Sequence, residues 1–169
     1  MKGFNRKRSY LLLLFLLVFT TMGIAQEISG NYAIKNLETG LLLRVKDANS
    51  KNGTPLVAYE PQNWKCMTWD FISAGDNVYQ LKNLFTGKTF QQKAGSDGST
   101  LEEQPLEKGK EAQLYTFEAV GENIYRIKLK GSTLYLTNNK AEVNAPIVLK
   151  PKTTDKNQLW QIYQQSPTM

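Results

Sequence analysis

The sequence contains no histidine and only one cysteine, Cys66. Without histidine the chain lacks the commonest general base, metal ligand and near-neutral proton switch. Ser–His and Cys–His nucleophile pairs are thereby excluded. One cysteine rules out an intramolecular disulfide, so the core alone must hold the fold together. Cys66 itself reads as a small buried hydrophobe rather than a reactive thiol. Sustained helical periodicity is also missing, and with it any Gly-rich phosphate loop leading from a strand into a helix. The only adjacent acids are Glu102 and Glu103. A strand sends them to opposite faces, so paired-carboxylate glycoside hydrolysis has no pair to work with. The expectation is a binder, not an enzyme, with no cofactor and no metal site.

What the N-terminus does contain is a leader pattern. Lys2, Arg6, Lys7 and Arg8 precede the apolar run Leu11 to Phe19, and small and polar residues lead to Gly23-Ile24-Ala25. A basic n-region, a short apolar h-region and a small residue at the cut predict a signal peptide over 1–25. The apolar run is too short to cross roughly 30 Å of hydrocarbon, and no cysteine follows it for lipid attachment. A secreted or periplasmic protein is expected, with no membrane association after cleavage. Removing four of the 21 basic residues, against 15 acids, lowers the net charge from +6 to +2. A near-neutral domain lacks the clustered positive charge that phosphate backbones require, so nucleic acid is not an expected partner.

The remaining residues, 26–169, repeat themselves. Tyr32-Ala-Ile-Lys-Asn-Leu-Glu-Thr-Gly returns as Tyr79-Gln-Leu-Lys-Asn-Leu-Phe-Thr-Gly, and a weaker third copy starts Tyr125-Arg-Ile-Lys. These tyrosines are 47 and 46 residues apart. Eleven positions later each copy carries an apolar residue: Leu43, Phe90 and Leu136. Trp69, Tyr115 and Trp160 lie 37, 36 and 35 residues past their tyrosines, each followed two places on by Phe71, Phe117 or Ile162. Three registered copies define units of about 30–76, 77–122 and 123–165 within one domain.

Each unit reads as four short strands. The first alternates, as in Tyr125, Ile127 and Leu129, and a Thr-Gly or Gly-Ser step then reverses the chain. The second strands are expected at Leu41–Val45, Lys88–Gln92 and Leu134–Thr137. The third are expected at Leu56–Tyr59, Leu101–Gln104 and Ile147–Lys150. The fourth carry the aromatics, at Met67–Ile72, Leu114–Ala119 and Leu159–Tyr163. Propellers usually need at least about four blades, so three units predict a threefold barrel capped by hairpins. Tyr32, Tyr79, Tyr125, Trp69, Tyr115 and Trp160 then fall on a shared core, which explains their recurrence without any function.

Asn157-Gln158-Leu159-Trp160 resembles the Gln-x-Trp signature that closes each repeat of ricin B-type lectins. Ala112-Gln113-Leu114-Tyr115 is a relaxed copy and Cys66-Met67-Thr68-Trp69 a more degenerate one. Asn52-Gly53-Thr54-Pro55 and Asn144-Ala145-Pro146 are similar to the family's approach to the third strand. The resemblance spans about Gly30 to Gln164 and implies an all-β fold, the β-trefoil, with Gln158 among its structural residues. It also implies a sugar kit in each repeat: an Asp for hydroxyls, an aromatic for ring stacking, and an Asn before the signature. By that pattern the Asp positions fall on Arg44, Gln91 and Thr137, none of them acidic. The aromatic survives only as Tyr59, with Gln104 and Lys150 elsewhere. The amide survives only as Asn157, with Cys66 and Ala112 elsewhere.

A pyranose offers one apolar C–H face and a rim of hydroxyls, so aromatics beside carboxylates and amides are the chemistry to look for. In unit one these are Tyr59, the loop residue Trp64, Asp47 and Asn49; in unit three they are Asn138 and Asn157. The plainer alternatives are a lid for Trp64, turn chemistry for Asp47 and Asn49, and loop capping for the asparagines. Unit two, with Asp97, Glu102 and Glu103, reads as a solvated surface. Two functions follow from this pattern. One is a carbohydrate-binding module with degenerate sites. The other is a protein-interaction or inhibitor-type trefoil whose sugar pockets have decayed.

Overall fold

The computed structural model describes residues 27–168; the leader expected over 1–25 lies outside the described residues. Unit one contains β1 (Gly30–Asn36), β2 (Leu42–Val45), β3 (Leu56–Tyr59) and β4 (Thr68–Ser73). Unit two contains β5 (Val78–Asn83), β6 (Thr89–Gln92), β7 (Leu101–Gln104) and β8 (Tyr115–Gly121). Unit three contains β9 (Ile124–Leu129), β10 (Leu134–Thr137), β11 (Val148–Pro151) and β12 (Trp160–Gln164). Observed and expected strand limits agree closely in every unit. The main difference precedes β4, β8 and β12, where Lys65–Met67, Glu111–Gln113 and Lys156–Gln158 form single 3-10 turns. The signature glutamine therefore sits in a turn, two residues before its strand.

The pairing is cyclic. β1 pairs β4, β4 pairs β5, β5 pairs β8, β8 pairs β9, β9 pairs β12, and β12 returns to β1, all antiparallel. Six strands thus close a barrel without free edges. The hairpins β2–β3, β6–β7 and β10–β11 cap one end. Bridges Pro55↔Glu102, Val57↔Pro146 and Thr100↔Val148 tie those hairpins to one another. This is a β-trefoil.

The reversals before β2, β6 and β10 each need a left-handed residue. Gly40, Gly87 and Gly131 supply it at φ 73°, 69° and 72°, a conformation that costs glycine little. Beside the first two turns, Asn36 and Asn83 accept from the next backbone amides through Oδ1. Their Nδ2 groups donate to the Asn157 and Cys66 carbonyls of the neighbouring unit, at 2.9 and 3.2 Å. Leu129 takes the equivalent place in unit three and cannot repeat this tie. The Leu159, Thr68 and Leu114 carbonyls each accept a backbone bond from the following unit, at 2.9, 3.0 and 2.9 Å.

The core carries the threefold rule in its side chains. Trp69, Tyr115 and Trp160 have no exposed surface. Their polar atoms donate to the Leu43, Phe90 and Leu136 carbonyls at 3.3, 3.3 and 3.0 Å. Tyrosine can replace tryptophan in unit two because its hydroxyl reaches the same kind of carbonyl. A second group of rings meets edge to face: Tyr32–Phe71 at 5.2 Å, Phe71–Tyr79 at 5.6 Å, Tyr79–Phe117 at 5.4 Å and Phe117–Tyr125 at 5.6 Å. Edge-to-face pairs add about 1 kcal/mol each beyond area burial. Tyr79 is buried, whereas Tyr32 and Tyr125 are only partly buried and pack against the core from its margin.

Unit two departs from the solvated surface expected of it. Glu103 has no exposed surface. It points inward on β7 as its neighbour Glu102 turns outward, and accepts a hydrogen bond from Thr86. Burial pushes its carboxyl above the ordinary value of 4.5, against the pull of Thr86 and Lys88.

Candidate functional site

The signature glutamines decide how open each repeat is. Gln158 is fully buried. Its Oε1 accepts from the Thr153 amide at 2.8 Å, and its Nε2 donates to Pro151 O at 2.8 Å and Thr137 Oγ1 at 3.1 Å. Gln113 repeats this in unit two, accepting from Glu107 N at 2.9 Å and donating to Pro105 O at 2.9 Å and Gln91 Oε1 at 3.3 Å. Gln91 and Thr137 stand where the ricin-type pattern has its acid. In units two and three those positions are therefore held by internal hydrogen bonds.

Asn138 and Asn157 are brought together where unit three meets unit one. The Asn157 carbonyl accepts from Asn138 N at 3.0 Å and Asn36 Nδ2 at 2.9 Å. Asn138 is 1% exposed and donates through Nδ2 to Thr39 Oγ1 at 2.9 Å, so its amide is spent on joining the units. The Asn157 Oδ1 atom is buried without a hydrogen-bond partner among the described residues. Asn157 lines an open groove of about 420 Å³ with Glu38, Thr154, Asp155 and Lys156.

Unit one is built differently because Met67 replaces the glutamine. Met67 and Cys66 join Ala33 and Leu42 in a small apolar cluster, with Ala48, Tyr59 and Trp64 against it. No amide is available to hold the acid position, and Arg44 occupies it. Its guanidinium lies 4.0 Å from the Tyr59 ring centre and 5.9 Å from that of Trp64. The two rings are 6.2 Å apart and tilted by 37°. Trp64 is half-buried, between the exposed platform and the closed lid that its sequence position allowed. Arg44, Ala48, Trp64, Lys65, Cys66 and Phe85 line an apolar cleft of about 310 Å³. Phe85, 51% exposed, comes from the first turn of unit two.

Asp47 and Asn49 face elsewhere. They line a separate polar groove of about 390 Å³ with Lys46, Lys51 and Thr54, while Ala48 between them lines the apolar cleft. Asn49 Oδ1 accepts from Lys51 N at 3.0 Å, an Asx turn. Asp47 and Ala48 both have positive φ, 53° and 50°. Sequence reasoning brought out Tyr59 and Trp64 but treated Arg44 only as a missing acid. Its burial beside two rings had a signal, a lone arginine in the apolar run Leu41 to Val45. Phe85 and Cys66 reach the cleft only through the tertiary fold. Among the described residues no cluster of His, Cys, Asp or Glu could hold a metal ion, and no helix is long and apolar enough to cross a membrane.

The closed six-strand ring, its three hairpin caps and the buried glutamine–aromatic signatures define a lectin-type β-trefoil. The chain belongs to the ricin-type beta-trefoil lectin domain-like family, whose model matches residues 18–103 and 62–149. No curated protein sequence matches it. Among solved structures, the designed threefold-symmetric protein ThreeFoil superposes with a TM-score of 0.75 at 20% identity, over 79% of this chain and 98% of its own. The ricin B-like lectin of Macrolepiota procera, solved with lactose, gives 0.68 at 19% identity, over 82% and 99% of the two chains. The exo-β-1,3-galactanase 1,3Gal43A of Clostridium thermocellum gives 0.73 at 20% identity, over 82% of this chain but 30% of that one. At such identities these likenesses establish the fold alone.

Proposed function

We propose that this chain is an exported, non-catalytic carbohydrate-binding module whose sugar sites are degenerate, with unit one as the working site. The observation that carries this reading is the half-buried Trp64 at an apolar cleft beside Tyr59. A ring partly open to solvent, fixed by its neighbours, can stack on the C–H face of a pyranose with little loss of side-chain freedom. Unit three is the secondary site: Asn157 lines its open groove, and Asn138 N holds the Asn157 backbone in place at 3.0 Å. After cleavage near Ala25 the protein is secreted or periplasmic, without cofactor, metal or nucleic-acid partner.

A second reading, a protein-docking trefoil, is favoured by Gln91 and Thr137, which stand at the acid positions of units two and three and are tied up in internal hydrogen bonds. A glycan array separates the two. A lectin of this fold is seen with lactose, so β-galactosides head the panel, beside plant, host and bacterial glycans. Saturable binding that disappears in Trp64→Ala supports the carbohydrate reading. Absence of binding across the whole array overturns it in favour of protein docking.

A further inference from the structure

We infer that the unit-one cleft recognises the carboxylate of an acidic sugar, with Arg44 as its ion partner. This rests on the carbohydrate reading above and narrows it to a ligand class. Where the ricin-type pattern places a carboxylate to accept from neutral hydroxyls, this chain places a cation, so the polarity of the site is reversed. Arg44 is only 8% exposed. Its Nε has no hydrogen-bond partner among the described residues. The ion pairs among those residues all involve Glu107 or Glu118, and none involves Arg44. A buried guanidinium without an anion is costly. The Tyr59 ring at 4.0 Å offsets part of that cost and fixes the group in place, but a ring face accepts no fork of N–H donors.

The surroundings fit a saccharide better than another anion. The cleft, about 310 Å³, falls at the small end of the roughly 300–1,000 Å³ typical of small-molecule sites. It offers Trp64 and Phe85 for the apolar face of one sugar residue. Lys65 at its rim adds a second positive charge. Because Nε is itself buried, a planar carboxylate would pair end-on with the two terminal guanidinium nitrogens, and the apolar lining strengthens that pairing. The alternative is an arginine that merely plugs an abandoned pocket.

The test uses trigalacturonate, a hyaluronan tetrasaccharide and sialyllactose as probes, with lactose and methyl-esterified trigalacturonate as uncharged controls. Affinity is read by titration calorimetry and by tryptophan emission. Trp64 is the half-buried tryptophan, since Trp69 and Trp160 have no exposed surface. At least one acidic probe is expected to bind saturably and to outcompete the uncharged controls. Arg44→Met keeps the packed stem but removes the charge, and should weaken that binding at least about tenfold. Arg44→Lys should fall between, because it keeps charge without the fork. Lys65→Met, on the exposed rim, should cost only a few-fold, and circular dichroism checks each variant's fold. Should Arg44→Met not fold, the esterified probe carries the same question on the parent protein.

Binding of acidic probes undiminished in Arg44→Met or by esterification overturns the inference. So does saturable binding of lactose alone, which leaves the carbohydrate reading standing. Binding of an acidic peptide such as oligoglutamate without any sugar overturns it in favour of protein docking. Failure of every glycan overturns both readings together.

Discussion

Replacing Gln158 with methionine copies unit one's solution, Met67, into unit three. The side chain keeps its length and stays apolar enough for a fully buried position. It loses three hydrogen bonds: one from Thr153 N at 2.8 Å, one to Pro151 O at 2.8 Å and one to Thr137 Oγ1 at 3.1 Å. Each is worth about 1 kcal/mol net. Thr153 and Pro151 are exposed residues, so water recovers part of their share, whereas Thr137 is buried. The expected loss is about 2 kcal/mol, or about 6 °C in melting temperature for a domain of this size. Urea unfolding followed by tryptophan emission measures it as a lower midpoint at unchanged slope. The reverse change, Met67→Gln, puts an amide among Ala33, Leu42 and Cys66, and should also destabilise. A Gln158→Met midpoint within about 0.5 kcal/mol of the parent, or a more stable Met67→Gln, would refute the view that the signature glutamines hold units two and three together through these bonds.

Two further outcomes follow from the core. Trp69→Ala should cost about 3–5 kcal/mol in denaturant unfolding, while Trp69→Tyr should cost much less, because Tyr115 already makes the matching bond to Phe90 O; equal losses would contradict the threefold rule. Burial raises the Glu103 carboxyl above 4.5, so folding favours its protonated form. Its cost is absent below the ordinary carboxylate range and grows as pH rises through the raised value. Glu103→Gln should therefore be more stable than the parent near pH 7 and should flatten this rise, as melting curves from pH 4 to 8 would show; an unchanged pH profile would refute it.

The repeat spacing made the fold legible. Threefold packing demands the same large ring at the same depth three times, so Trp69, Tyr115 and Trp160 kept their register even where the intervening loops diverged. Strand limits followed for the same reason, since alternation and glycine turns are local. The short turns before β4, β8 and β12 were not legible, because a single 3-10 turn leaves no periodic trace. Glu103 was misplaced because two adjacent glutamates look solvated in sequence, although a strand must send one of them inward. At the candidate site Tyr59 was visible as the one aromatic kept at the ricin-type stacking position, and Trp64 as a loop tryptophan just before the signature. Arg44 was not, because its role depends on Met67 lacking an amide and on two rings that approach it only after the unit has folded.

The seam between β1 and β12 has a kinetic consequence. Tyr32 pairs with Gln164 and Asn36 with Trp160, so the first strand finds this partner only after the last has been made. Closing so long a loop is slow, and topologies dominated by distant pairings fold on the millisecond-to-second scale. Until then β1 and β9 each present an unpaired flank, the kind of surface on which nascent chains aggregate. The early hairpins can form alone, but the finished barrel is a late, all-or-nothing event, and changes at this seam should slow folding more than changes within any one hairpin.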